Sequence, residues 1–324
     1  MAALTEEQSM IRDQAKSWTA DKSPVDKFRE MRDKEIANNY FPETWSAMVE
    51  MGWTGIIIPE QYGGSDLGFL TFGVVLEETG RQLTASPLFA SALVGASAIL
   101  LGGSEAQKQA ILPGIVDGSK ILTLALEEGP RHAPENTSLN AQASGAGFKL
   151  SGTKTFVAEG MAANTFVVAA RTSGSAGDRE GISLFLVDAG AKGLSRNAIK
   201  TVDSRGYANL DLDAVEVSAD AMLGQVDAGL PILEATLDRA RAGLSAEMLG
   251  TAAQAFDMTL EYLKTREQFG QVIGSFQALG HRAAGLFGQM ELARSCSEAA
   301  LQAIDDDQDI ELLTSLSKCR VGEF

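Results

Sequence analysis

Between Tyr262 and His281 the chain reads Tyr-Leu-Lys-Thr-Arg-Glu-Gln-Phe-Gly-Gln-Val-Ile-Gly-Ser-Phe-Gln-Ala-Leu-Gly-His, and two of these residues suit one kind of ligand. Arg266 carries a permanent two-pronged donor for phosphate oxygens, and Phe269 offers a ring face to a planar heterocycle. Taken alone, the two also read as a surface Arg and a core Phe at a helix corner. Upstream, Asp238 and Arg241 stand at i, i+3 spacing, which places a carboxylate and a guanidinium on one helix face. They either contact a ligand or form an ordinary ion pair. His132 and His281 lie far apart with no Cys cluster around them, so a loop or surface place is expected for each and no metal site is predicted.

The elements that must position these side chains show in the patterning. Leu230, Leu233, Leu237, Leu244, Met248, Met258 and Tyr262 recur at helical spacings, predicting a long helix buried along one side. Gly270 and Gly274 interrupt it, and Phe276, Leu279, Ala283, Leu286, Met290 and Ala293 restart the period. Arg266 and Phe269 are therefore expected at a helix end, where a side chain can leave a bundle. Ala242, Gly243, Ala246 and Gly250 on the long helix either leave room for a large ligand or let helices pack closely. From the start to about residue 112 the signals are helical: capping boxes at Thr5–Gln8 and Ser104–Gln107, and Pro42 at a helix start. From about 121 to 223, runs rich in Val, Thr, Phe and Ile read as strands, among them Gly147–Val157, Thr165–Arg171 and Gly181–Val187. The stretch Thr172–Arg179 reads as an exposed loop.

Composition narrows the function. The 324 residues exceed one typical domain. With 27 Lys and Arg against 43 Asp and Glu, the net charge of -16 disfavours nucleic acid and anionic membrane surfaces as partners. Two cysteines, Cys296 and Cys319, both in helical patterns, predict a reducing compartment; the absence of a leader pattern or a membrane-length apolar run makes the cytoplasm the expected location.

The Tyr262–His281 stretch, the apolar run Met51–Ser65, the helix pattern Phe72–Gly80 and the strand phrase Leu150–Val157 together resemble the acyl-CoA dehydrogenase family, from about Met51 to the end of the chain. The resemblance implies an α+β multidomain architecture: an N-terminal all-α domain (1–120), a middle β-barrel domain (121–225) and a C-terminal antiparallel helix bundle (226–324). It also implies FAD as cofactor, an acyl-CoA substrate, electron-transfer flavoprotein as electron acceptor, and a homo- or hetero-oligomer. By the same resemblance, Arg266, Phe269, Ile273 and Phe276 serve the pyrophosphate and adenine end of FAD bound mainly by a neighbouring subunit. Phe156, Ala158 and Glu127 occupy flavin-side positions, and Asp238 and Arg241 lie near the CoA portion of the substrate.

The chain departs from the family pattern at several of these positions. Ala240 stands where one group of members places its catalytic base, and the other base position would lie beyond Phe324, so no catalytic carboxylate is assigned. Glu127 replaces a hydroxyl donor, Phe156 a flavin-stacking Trp, and Ala158 a hydrogen-bonding Thr. A carboxylate beside the reduced, anionic flavin would repel it. The flavin-side features are eroded while Arg266 and Phe269 remain, as expected of a subunit that completes a composite site in a heteromer, of the kind that acts on bulky thioesters such as steroid side chains. A catalytically inert scaffold, and a flavin oxidase or monooxygenase on the same fold, are the competing readings.

Overall fold

The computed structural model describes residues 4–324. Helices α1 (Glu6–Lys22), α2 (Val25–Asp33), α3 (Pro42–Glu50), α4 (Gly68–Arg81), α5 (Ala96–Gly102) and α6 (Glu105–Val116) precede the strands. Both predicted capping boxes form, Thr5 with Gln8 opening α1 and Ser104 with Gln107 opening α6. Eight strands follow: β1 (Leu122–Ala125), β2 (Asn140–Ser144), β3 (Gly147–Ala158), β4 (Thr165–Arg171), β5 (Ile182–Asp188), β6 (Leu194–Ile199), β7 (Tyr207–Ser218) and β8 (Met222–Leu223). Then come α7 (Gly229–Thr265), a hairpin of β9 (Glu267–Gln268) and β10 (Gln271–Val272), α8 (Gln277–Asp305) and α9 (Ile310–Glu323). No described helix is long and apolar enough to cross a membrane.

Contacts group the chain into two compact units. One comprises Arg29–Asp66 and Ala85–Leu237; the other comprises the chain up to Phe28, Leu67–Thr84 and Asp238–Phe324.

In the first unit the strands pair in the order β6-β7-β3-β2-β4-β5-β8, with β1 parallel to β4. Strand β4 is buried from Phe166 to Arg171, which is why it reads as a continuous apolar run rather than an alternating one. Buried Arg171 donates to the carbonyls of Thr137, Glu135, Asp178 and Glu180, tying two loops to the strand end. Trp45 of α3 donates through Nε1 to the Gly118 carbonyl at 3.1 Å, and Thr54 donates to the Val116 carbonyl at 2.6 Å, so the helical part of this unit is stitched to the end of α6.

In the second unit α4 and α7 touch backbone to backbone. A Cβ on Gly80 would lie 2.1 Å from the Glu247 carbonyl oxygen, and one on Gly250 would lie 1.9 Å from that of Glu77. Gly250 thus serves close helix packing, one of the two roles open for the small residues of α7, and Ala242 and Ala246 are buried beside it. Leu249, Ala253, Phe256, Met290, Ala293 and Val321 form a core where α7, α8 and α9 meet. Asp305 accepts the backbone N–H groups of Phe69 and Leu70, capping α4 from the end of α8.

The expected buried stripe holds only over part of its length. Met258 is 64% exposed and Tyr262 56%, and Leu286 on α8 is also exposed, so the distal turns of α7 and the first turns of α8 carry apolar side chains into solvent. Helical periodicity records that a face is covered, not which chain covers it.

Candidate functional site

The hairpin between α7 and α8 is built from two consecutive residues in the left-handed region, Phe269 at φ 57° and Gly270 at φ 77°. Their signs are those of a two-residue type I′ loop, whose twist matches the paired strands. Gln268 faces Gln271 and Glu267 faces Val272, and the Ile273 N–H returns to the Arg266 carbonyl at 2.8 Å. Gly270 suits this turn; Phe269 does not, since a non-glycine residue there costs about 1–2 kcal/mol. Yet its ring stands 90% exposed, edge-on to Phe276 with centroids 6.1 Å apart. Arg266 is exposed, and its guanidinium makes no ion pair among the described residues. The hairpin therefore gathers Arg266, Phe269, Ile273 and Phe276 at one end of their unit, with a free guanidinium and a bare ring. Strands of two residues carry no periodicity, so the sequence pattern shows a helix break but not the hairpin.

The other flavin-side positions lie in the sheet unit. Thr155 and Phe156 of β3 stand opposite a single residue, Asn209, because the pairing shifts between Lys154–Leu210 and Val157–Ala208. This is a β-bulge, a device that re-aims a side chain. It holds Phe156 at φ 51° with its ring 54% exposed, its N–H donating to Asn209 Oδ1 at 3.2 Å and its ring edge-on to Tyr207. The Ala158 carbonyl accepts the Thr123 hydroxyl at 2.6 Å, and the Glu127 carbonyl accepts the Thr155 N–H at 2.7 Å, so Glu127, Phe156 and Ala158 share one corner.

Beneath that corner is an ion pair that sequence reasoning missed. Lys154 is fully buried; its ammonium donates to Glu128 Oε1 at 2.6 Å and to the Leu126 carbonyl at 2.9 Å. Burial lowers the Lys154 pKa to about 8, with Glu128 opposing the shift. Burial alone would push Glu128 up, but the charge and hydrogen bond of Lys154, with Ser138 and Leu139, leave its carboxyl below the ordinary value. The partners are 26 residues apart, and the segment after β1 reaches β3 through the Thr155 N–H on the Glu127 carbonyl.

Asp238 and Arg241 form an i, i+3 ion pair, one of the two alternatives their spacing leaves open, and Thr314 of α9 also donates to Asp238 Oδ1, at 3.3 Å. The carboxylate is mostly buried and doubly engaged. Beside it Arg239, which sequence reasoning passed over, lies 5.7 Å above the Phe69 ring. Burial lowers its pKa, opposed by Asp238 and Asp307.

The flavin-side groups fit a flavin nucleotide in type: a strained, exposed ring at a bulge suits a planar heterocycle, and a free guanidinium beside a second bare ring suits a pyrophosphate and a base. They fall in the two different units, and Asp238 and Arg241 lie in the same unit as the hairpin.

Three descriptions of acyl-CoA dehydrogenase domains match the chain: N-terminal over residues 5–119, middle over 127–217 and C-terminal over 227–324. The chain is 32% identical to the acyl-CoA dehydrogenase FadE27 of Mycobacterium tuberculosis over 87% of its own length and 70% of that protein's. It is 30% identical to the caffeyl-CoA reductase-Etf complex subunit CarC of Acetobacterium woodii, over 99% and 85%. Among solved structures, a variant of the Tcur3481-Tcur3483 steroid ACAD superposes with a TM-score of 0.85 at 34% identity, covering 97% of this chain and 82% of that one. With all three domains matched in order, the chain belongs to the acyl-CoA dehydrogenase family, FAD-dependent oxidoreductases that act on the CH–CH group of acyl-CoA thioesters.

Proposed function

We propose that this chain is a subunit of an FAD-dependent acyl-CoA dehydrogenase that desaturates an acyl-CoA thioester between its α and β carbons, and that it works in an oligomer. The observation that carries the proposal is the exposed hairpin: Phe269 is held at positive φ with its ring 90% exposed, beside an Arg266 that makes no ion pair among the described residues. In this reading they serve FAD on a neighbouring subunit, while Phe156 covers a ring on this one. Bound FAD supplies the hydride acceptor. The residues of this chain hold and shield it: the Arg266 guanidinium faces phosphate, Phe269 and Phe276 cover the adenine, and the bulge at Phe156 keeps water from one ring face.

The proton acceptor is not drawn from this turn of α7, where Ala240 has no carboxylate and Asp238 is held by Arg241 and Thr314. Asp238 and Arg241 instead shape the wall near the CoA portion. The similarity to the Tcur3481-Tcur3483 steroid ACAD supports a heteromer acting on a bulky thioester. The similarity to an Etf complex subunit supports electron-transfer flavoprotein as the electron acceptor. Two free cysteines support a reducing, cytoplasmic setting.

The engaged Asp238 also favours a second reading, a partner subunit that keeps the fold without chemistry of its own. Thermal unfolding with FAD and with an acyl-CoA thioester separates the two, because a ligand raises the midpoint only of a state it binds. Protection by both is expected; protection by neither would replace the dehydrogenase reading with the scaffold.

A further inference from the structure

Glu127 stands where the family pattern has a hydroxyl, and a lone carboxylate there would repel an electron-rich ring. It is not alone. His132, five residues on, places Nδ1 2.6 Å from Glu127 Oε1. The Glu127 side chain is 28% exposed and that of His132 52%, so the pair sits at the surface of the corner that presents Phe156, joined to it by the Thr155 N–H on the Glu127 carbonyl. Neighbouring Glu128 is not interchangeable with it, being committed to Lys154, Ser138 and Leu139. Lys154 of β3 stands near the pair, its ammonium feeling the Glu127 charge, and Glu128 and Arg131 belong to the same loop. The same loop, with Arg131 and Asn136, lines a cleft of about 320 Å³.

We propose that His132 is a positioning residue for Glu127: its imidazolium holds and neutralises the carboxylate, so that the grip of this corner on a planar ligand with an edge of hydrogen-bond acceptors depends on one proton. The proposal rests on the reading that Phe156 covers a flavin ring. With His132 protonated the pair is a neutral ion pair; with His132 neutral it carries a net negative charge, which disfavours such a ligand. An imidazole paired with a carboxylate gives up its proton less readily, so affinity is greater on the acid side of that step and weaker beyond it.

FAD titration of the full chain in its native oligomer, followed by flavin fluorescence between about pH 5 and 7, tests this below the region where Lys154 begins to lose its proton. We expect affinity to fall about tenfold across the range, the equivalent of one pKa unit of coupling. H132A is expected to bind weakly at both ends, E127Q to bind without pH dependence, and the E127Q/H132A double variant to recover the affinity lost in H132A. Recovery is a result that a merely structural His132 would not produce. A wild-type affinity that does not change with pH, or a fall that persists in E127Q, overturns the proposal while leaving the flavin reading in place. No FAD binding at any pH removes both.

Discussion

Phe156 and Phe269 make a controlled comparison inside one chain. Both are aromatic residues at positive φ, and both turn a ring to solvent, 54% and 90% exposed. Around Phe156 the structure is dense: Lys154 and Val157 are buried on either side, Asn209 holds the backbone, and the Lys154–Glu128 pair lies beneath. Around Phe269 it is bare, with Met258, Tyr262 and Phe287 exposed on the adjoining turns of α7 and α8. One ring is displayed by a support that its own unit completes; the other sits on a support left apolar and open. A strained residue persists only where its surroundings determine it or where a partner supplies the missing contacts. The sheet corner meets the first condition, and the hairpin calls for the second.

The comparison breaks first at Lys154. Replacing it with Met leaves Glu128 half-buried without its cation, and the K154M variant should lose about 3–5 kcal/mol of stability, read from the urea midpoint. K154M/E128Q should lose clearly less, since no charge is then stranded. Equal losses in the two variants would mean that the ion pair does not hold this corner.

A smaller effect is expected where α4 and α7 touch. The added methyl of G250A meets the Glu77 carbonyl oxygen, and pushing the helices apart should cost about 1–3 kcal/mol. An unchanged midpoint would show that the two backbones are not in contact in solution.

At the hairpin the account predicts the opposite signature. F269A should change stability by no more than about 0.5 kcal/mol, as for a surface substitution, or raise it slightly by relieving the turn. Its cost should appear as weaker FAD retention in the oligomer, roughly fivefold, in line with about 1 kcal/mol for a ring contact. Large destabilisation of the isolated chain would place Phe269 in the fold rather than in the site.

The smallest expected effect is a pH slope. Burial raises the carboxyl pKa of Glu78 on α4, Arg81 opposing and Glu77 reinforcing the shift. A carboxyl raised in the fold favours the fold at acid pH, and that contribution is lost as pH rises from 4.5 through the folded value. Urea midpoints of E78Q should therefore decline less with rising pH over this range than those of the wild type.

Much of the fold was legible because its signals are local. The capping boxes at Thr5 and Ser104 need only four residues each, and α7 announces itself through a long run at one period. The buried run of β4 and the turn residues around it mark the sheet unit in the same way. What stayed hidden depends on register. The bulge at Phe156 exists because β3 slips against a strand some fifty residues away, and Lys154 finds Glu128 only because the loop after β1 folds back onto β3. The exposure of Met258 and Tyr262 escapes the sequence for another reason: an apolar stripe is the same whether its cover is the same chain or a different one. His132 takes the exposed loop place that the sequence predicts, but its pairing with Glu127, five residues before it, is not predicted. Loop conformation, not spacing, closes that contact.

The central claim is that the hairpin completes a flavin site on another subunit. FAD titration followed by visible absorbance, with the mass of the flavin-bearing species determined in the same samples, tests it most directly. The account predicts flavin only in species larger than one chain, and its loss from those species in F269A. Flavin bound at one per chain on a monomer, with affinity unchanged in F269A, would contradict it.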